Sequence, residues 1–151
     1  MVGEIKIQVA GKSSASPDRI MDQISDWQRL PEFWHGMRSI TRSDGSMLLV
    51  RFAFPGNGKM SYLCDRKSLT CTENYHSGPF SGFKKTELRC IDGGTEIRVR
   101  WEIKLSLSMV LLKGFLSRHF TEGTESAIRR ICESAESDLL HEREIIVHQQ
   151  A

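Results

Sequence analysis

The segment TEIRVRWEIKLS (residues 95–106) alternates apolar and polar side chains almost without fault. Ile97, Val99, Trp101, Ile103 and Leu105 fall on one parity; Glu96, Arg98, Arg100, Glu102 and Lys104 fall on the other. Successive side chains of a strand point to opposite faces, so this is a strand with one dry face and one wet face. The dry face carries a tryptophan, and it must look either at protein or at something bound.

Upstream, short apolar runs are separated by turn-forming clusters. MRSITR ends at SDGS (43–46), MLLVRFAF at PGNG (55–58), KMSYLCD near DRKS, SLTCTENYH at SGPFSG and GFKKTELRC at IDGG (91–94). Gly, Pro, Asp and Asn in these positions argue for antiparallel hairpins. EIKIQV (4–9) also alternates and reads as a first strand. After it, Ser16-Pro17 offers an N-cap with Pro at the first helical position. PDRIMDQISDW then sets Ile20, Ile24 and Trp27 on one side of a helix, and a second short helix around LPEFWHG (30–36) carries Phe33 and Trp34.

Downstream, the period changes at about Ser108. Leu112, Leu116, Phe120, Ala127, Ile131, Ala135 and Leu139 recur at steps of mostly four, while Arg118, Glu122, Glu125, Arg129 and Glu133 lie largely off that stripe. This predicts an amphipathic helix of about 30 residues, ~45 Å long. Gly114 and Gly123 are weak points that permit a bend. HEREIIVHQQA (141–151) reads as helix end plus a frayed tail. The order is strand, two short helices, six strands and one long helix, which is an α+β domain spanning residues 1–151.

Composition sets the outer limits. The chain has 151 residues, 39% hydrophobic and 26% charged, which is enough for one domain with a real core and too apolar for disorder. A net charge of +2 gives no sign of a nucleic-acid partner. MVGEIKIQVA has no basic stretch followed by a long apolar one, so no signal peptide is expected. The longest apolar run, MVLL (109–112), excludes integral membrane association by a spanning helix. Cys64, Cys71, Cys90 and Cys132 lack the close pairing of a zinc site, and in a chain without an export signal they read as reduced core thiols. The expectation is a cytoplasmic protein.

A cavity follows from a mismatch of widths. Seven strands at ~4.8 Å spacing make a sheet ~29–34 Å wide, whereas one helix is only ~10–12 Å across. The sheet must therefore curl around the helix, with the short helices plugging one edge. The remaining space is either filled by large side chains or left open. Phe52, Phe54, Tyr62 and Trp101 sit where the inward parity places them, and an apolar cleft with few polar groups is the usual form of a small-molecule site.

With these elements in place, three stretches carry a resemblance. ISDWQRLPEFWHGMRSI (24–40) has a short helix ending, a Pro opening the next, and a strand beginning. SGPFSGFKKTELRCIDGGTEIRV (77–99) has Gly-Pro before one strand and Gly-Thr opening the next. LSMVLLKGFLSRHF (107–120) leads into the closing helix. Together they resemble the START-like (SRPBCC, Bet v 1-like) superfamily, in particular its polyketide cyclase/dehydrase and coenzyme-Q-binding branch, over about residues 4–140. The resemblance implies a helix-grip fold, a curled antiparallel sheet holding a long C-terminal helix, with a hydrophobic ligand between them. Relatives bind or transport lipids, quinones, sterols and polyketides, some catalyse cyclisation or dehydration, and some act through protein partners. No cofactor is common to the branch, and none is expected here.

The candidate ligand-binding residues are Trp34, Phe52, Phe54, Tyr62, Tyr75, Trp101, Phe115, Leu116, His119 and Phe120; each is equally explicable as ordinary core. The one candidate for catalysis is Glu73. In SLTCTENYH one parity reads Leu69, Cys71, Glu73, Tyr75 and the other Ser68, Thr70, Thr72, Asn74, His76. If the first faces inward, burial raises the carboxyl pKa and suits it to proton transfer. If the hydroxyl-rich parity faces inward, or a bulge breaks the pattern, Glu73 is a surface charge, and this is the expected outcome. His35, His76, His119, His141 and His148 are scattered. His141-Glu142 begins like HExxH, but position 145 is Ile, so no metal is expected. PGNGK (55–59) follows no P-loop pattern and no GxSxG occurs.

The leading expectation is a binding module that carries a hydrophobic small molecule such as a lipid, quinone or polyketide-like compound. An enzyme of the cyclase/dehydratase type is the alternative. A protein-interaction module with a vestigial cavity, working through a protein partner or as a homodimer, is a further one.

Overall fold

The computed structural model describes residues 3–54 and 56–150; Pro55, assigned by its sequence to the PGNG turn, lies outside the described residues, as do Met1, Val2 and Ala151. Seven strands form one curved antiparallel sheet. They are β1 (Glu4–Ser13), β2 (Met37–Arg42), β3 (Met47–Phe52), β4 (Asn57–Asp65), β5 (Thr70–Ser77), β6 (Phe80–Ile91) and β7 (Gly94–Leu105). Their spatial order is β1-β7-β6-β5-β4-β3-β2. β1 and β2 are therefore opposite edges. Between them the chain crosses the sheet through α1 (Pro17–Ile24), a 3-10 turn (Trp27–Arg29) and α2 (Leu30–Phe33). Ser16 caps α1 by accepting from the Arg19 N–H at 3.4 Å, with Pro17 next to it, as their order in the sequence predicts.

The dry parity of β7 is inward throughout: Ile97, Val99, Trp101, Ile103 and Leu105 are all buried. Facing it is α3 (Lys113–Gln150), whose buried stripe comprises Leu116, Phe120, Thr124, Ala127, Ile128, Ile131, Cys132 and Ala135. Ala127 and Ala135 let the helix come close to the sheet, and Gly11 on β1 does the same from the other side. A Cβ on Gly11 would stand 2.7 Å from Ile128 Cγ2. Polar contacts fix the helix along its length. Ser13 Oγ and Ser14 N–H donate to Glu136 at 2.9 and 3.1 Å, Ser134 Oγ donates to Gln23 at 2.6 Å, and Arg130 donates to the Phe33 carbonyl at 2.8 Å.

Three expectations are corrected. The closing helix begins at Lys113, because Leu107–Leu112 is a 3-10 segment; its different turn angle takes Leu112 off the buried stripe. The tail from 141 is not frayed: α3 continues to Gln150 although every side chain from Leu140 to Gln149 is exposed. It propagates from the packed turns before it, where each added residue closes one more helical hydrogen bond, and Arg19 on α1 pairs with Glu142. Finally, Cys64 and Cys71 are not free thiols. The register of the β4–β5 hairpin sets them directly opposite, 4.1 Å apart at Cα, and they form a disulfide; Cys90 and Cys132 remain free. Spacing along the chain did not reveal that pairing, because it depends on where the hairpin turns.

Among the described residues no helix is long and apolar enough to cross a membrane. Gly82, within β6, has φ +123° and its missing Cβ would lie 2.2 Å from the Glu102 carbonyl oxygen on β7. Replacing it forces the strands apart. Gly82→Ala is expected to lose about 2 kcal/mol or more of stability, measured as a lower urea midpoint with an unchanged slope.

Candidate functional site

The inward side chains of β3, β5, β6 and β7 converge with α2 and the first turns of α3 on a cluster of rings. Trp101 is at its centre. Phe120 lies parallel to it at 5.2 Å and Tyr75 parallel at 6.1 Å, while Trp34 and Phe80 meet it edge-on at 6.0 and 6.2 Å. Phe52 stacks on Phe54 at 5.2 Å and touches Phe80 at 5.3 Å. The indole N–H of Trp101 donates to Thr124 Oγ1 at 2.9 Å, and that hydroxyl donates to the Phe120 carbonyl at 2.6 Å. Trp101 therefore looks at α3, and its one polar atom is satisfied there, as a buried indole requires.

A small cleft remains beside this cluster, with a volume of about 50 Å³. Trp34, Phe52, Phe54, Tyr75, Trp101, His119 and Phe120, all singled out in the sequence, line it. Gly36, Met37, Phe80, Gly123 and Thr124 line it too, and sequence patterning did not single them out. At Gly36 and Gly123 a Cβ would meet nothing within 4 Å; Gly123 is exposed, so the space beside it is continuous with solvent. The other candidates are elsewhere. Tyr62 donates its hydroxyl to the Ile24 carbonyl, Leu116 is buried in the helix–sheet interface, and Phe115 is exposed. Aromatic rings fill most of the interior that the width argument leaves open, so the open cavity is far smaller than expected.

Behind the Tyr75 wall lies the most unusual chemistry of the molecule. Glu73 is inward, contrary to the expected surface position, and only 2% exposed. The reason is its partner: β5 and β6 pair Glu73 with Lys84, itself 1% exposed, and the two form an ion pair. Tyr75 donates to the other Glu73 oxygen at 3.0 Å. The Lys84 Nζ has no acceptor in hydrogen-bond geometry among the described residues, yet it sits 3.2 Å over the Trp34 ring and 5.2 Å from that of Trp101. Ring faces thus supply part of what water would. Burial pushes the Lys84 ammonium well below its usual range, and burial likewise pushes the Tyr75 hydroxyl far up, keeping it a donor. A signal for this was present in FKKTELRC: Lys84 shares the inward parity of Thr86 and Leu88.

Among the described residues no three His, Cys, Asp or Glu side chains gather as metal ligands would. No protein-family model and no curated protein matches the chain. Solved structures do match. The chain is similar to the Zhui aromatase/cyclase from Streptomyces sp. R1128, with a TM-score of 0.72 and 9% identity over 90% of this chain and 96% of that one. It is similar to Ara h 8.0201, with a TM-score of 0.65 and 15% identity over 89% and 99%. It is also similar to a START superfamily protein from Mycobacterium smegmatis, with a TM-score of 0.61 and 13% identity over 83% and 98%. The fold is the START-like helix grip. At such identities the likeness establishes the START-like architecture and leaves the activity to be argued from the site.

The buried pair makes a two-part prediction. Removing one partner, by Glu73→Leu or Lys84→Met, strands a buried charge and is expected to cost about 3–5 kcal/mol, whereas the double variant recovers most of that loss; urea unfolding of the four proteins measures it. The pH dependence has a definite sign. Because the folded Lys84 pKa is below its ordinary 10.5, the unfolded chain holds more protons in the interval between, and stability rises with pH there. Above about pH 10 the buried tyrosines, whose folded values are raised, reverse the slope. Lys84→Met should flatten the rising limb.

Proposed function

We propose that this START-like chain binds and carries a hydrophobic small molecule, a lipid, quinone or polyketide-like compound, in the aromatic cleft between sheet and closing helix. The observation that carries the reading is the cleft itself, lined mainly by aromatic rings, with two glycines at which a Cβ would meet no atom. At about 50 Å³ it is well below the ~300–1,000 Å³ of ordinary ligand pockets. A ligand therefore enters ring or chain end first and displaces side chains. The half-buried Phe54 and the exposed His119 are the lining groups freest to move. Each 100 Å² of apolar ligand surface buried is worth ~2.5 kcal/mol before the costs of association.

A second reading, a cyclase/dehydratase-like enzyme, is favoured by one specific contact. The Tyr75 ring lines the cleft while its hydroxyl touches Glu73. For proton transfer the hydroxyl itself, not the ring face, must reach the ligand, so this reading requires Tyr75 to turn its hydroxyl from Glu73 into the cleft. Tyr75→Phe separates the readings, since it leaves carriage intact and abolishes turnover of a polyketide substrate. We place the protein in the cytoplasm, which requires the Cys64–Cys71 bridge to persist against cytosolic reductants.

The carrier reading is tested by titrating a short-chain quinone and a fatty acid against the intrinsic fluorescence of Trp34 and Trp101. Saturable quenching is expected with the parent protein. Gly123→Leu fills the cleft and is expected to weaken binding at least tenfold. Its melting temperature should be equal or higher, because glycine within a helix costs ~1 kcal/mol. No quenching by any apolar probe, or unchanged affinity in Gly123→Leu, removes the carrier.

A further inference from the structure

Where β7 hands over to α3, the molecule presents a ridge of large apolar side chains. Leu107 and Leu111 are 94% and 98% exposed, Phe115 is 68% exposed, and Leu112 is 48% exposed. The four lie within nine residues, Leu107, Leu111 and Leu112 on the 3-10 segment and Phe115 in the first turn of α3. Met109 and Val110, within the same segment, pack against the core. The ridge is therefore anchored from beneath. Single exposed leucines are unremarkable on a protein surface; four large apolar side chains exposed within nine residues mark a surface that is covered in use.

Charge identifies what covers it. Between Glu102 and Glu122 the chain has no acidic residue, whereas Lys104, Lys113 and Arg118 all fall in that interval. Lys104 stands opposite Glu4 across the β1–β7 ladder, but Arg118 is exposed and makes no ion pair among the described residues. A two-fold pairing of this ridge with a second copy would press the same cations together, since a two-fold interface apposes one patch to itself. An anionic bilayer has the complementary form: hydrocarbon to receive leucine and phenylalanine, and phosphates at the level of the cations. The ridge is also continuous with the cleft. The Phe115 ring stacks on His119 at 5.9 Å, and His119 lines the cleft.

We propose that Leu107, Leu111, Leu112 and Phe115 form a docking ridge that seats this protein peripherally on an anionic lipid surface, with the cleft turned toward the bilayer. This goes beyond the carrier reading, because docking does not require that the cleft hold a ligand.

The test is sedimentation of the full chain with vesicles of phosphatidylcholine, with and without phosphatidylserine. Binding to the serine-containing vesicles, weakened by salt, is expected. Leu111→Asp combined with Phe115→Asp is expected to reduce it at least about tenfold. Arg118→Glu should reduce it less, and more at low salt than at high salt. All three positions are exposed, and circular dichroism verifies that the variants fold. Gly123→Leu, which fills the cleft, should bind vesicles like the parent, so failure of docking and failure of carriage are distinguishable. The proposal is overturned if the parent does not sediment with serine-containing vesicles, or if the double variant binds them undiminished. A concentration-dependent dimer lost in the double variant, without vesicle binding, assigns the ridge to a second copy and overturns it equally.

Discussion

One helix cannot cover seven strands, and most of this structure is a response to that. α3 does not lie over the middle of the sheet at a uniform distance. Gly11, Ala127 and Ala135 draw it down against β1, where Ile128 and Ile131 complete a close-packed aliphatic interface. Closeness on that side leaves a gap toward β3–β6. The chain fills the gap with its largest side chains, contributed by four strands, α2 and the first turns of α3. Rings suit such a space, since each fills it with few rotatable bonds and gains from tilted or offset contact with its neighbours, at ~0.5–1.5 kcal/mol a pair. Rings also pack with residual gaps at their edges, and the cleft is such a gap.

The Glu73–Lys84 pair belongs to the same space. Two charges taken from water are a poor source of stability, and their mutual attraction roughly offsets the desolvation at best. What they do supply is a fixed geometry. The pair ties adjacent strands β5 and β6 at the inward face, and Lys84 reaches Trp34, at the end of α2. One buried cation thus links the sheet to the segment that crosses it. Tyr75 joins the network from the cleft wall, its ring lining the cleft and its hydroxyl held by Glu73.

The strands and the closing helix were legible because each depends on a local period. β7 alternates, its partners are bounded by glycine-rich turns, and α3 repeats at four residues. The order of those elements then led to the START-like fold. What was not legible depends on register. Glu73 lies on a strand both of whose parities hold polar groups, and neither announces itself as inward until the opposing residue is known. Lys84 is that residue. It stands on a parity with Thr86 and Leu88, so a lysine out of place was visible in its own strand, but its pairing with Glu73 was not. The Cys64–Cys71 bridge was hidden for the same reason, since only the position of the hairpin turn brings the two together. Gly36 and Gly123 were hidden differently: a glycine leaves no periodic trace, and Gly123 reads as a flaw in the helix.

That flaw is informative. Alanine at 123 would meet no atom and would favour the helix by ~1 kcal/mol, so neither sterics nor backbone geometry explains the glycine. Gly36 at the same cleft likewise faces open space. Positions that forgo available stability are where function is expected to show, because elsewhere local preference and overall packing agree. Here Gly36, Gly123, Thr124 and Tyr75 line one opening, whose rim continues through His119 to Phe115 and the exposed apolar segment before it.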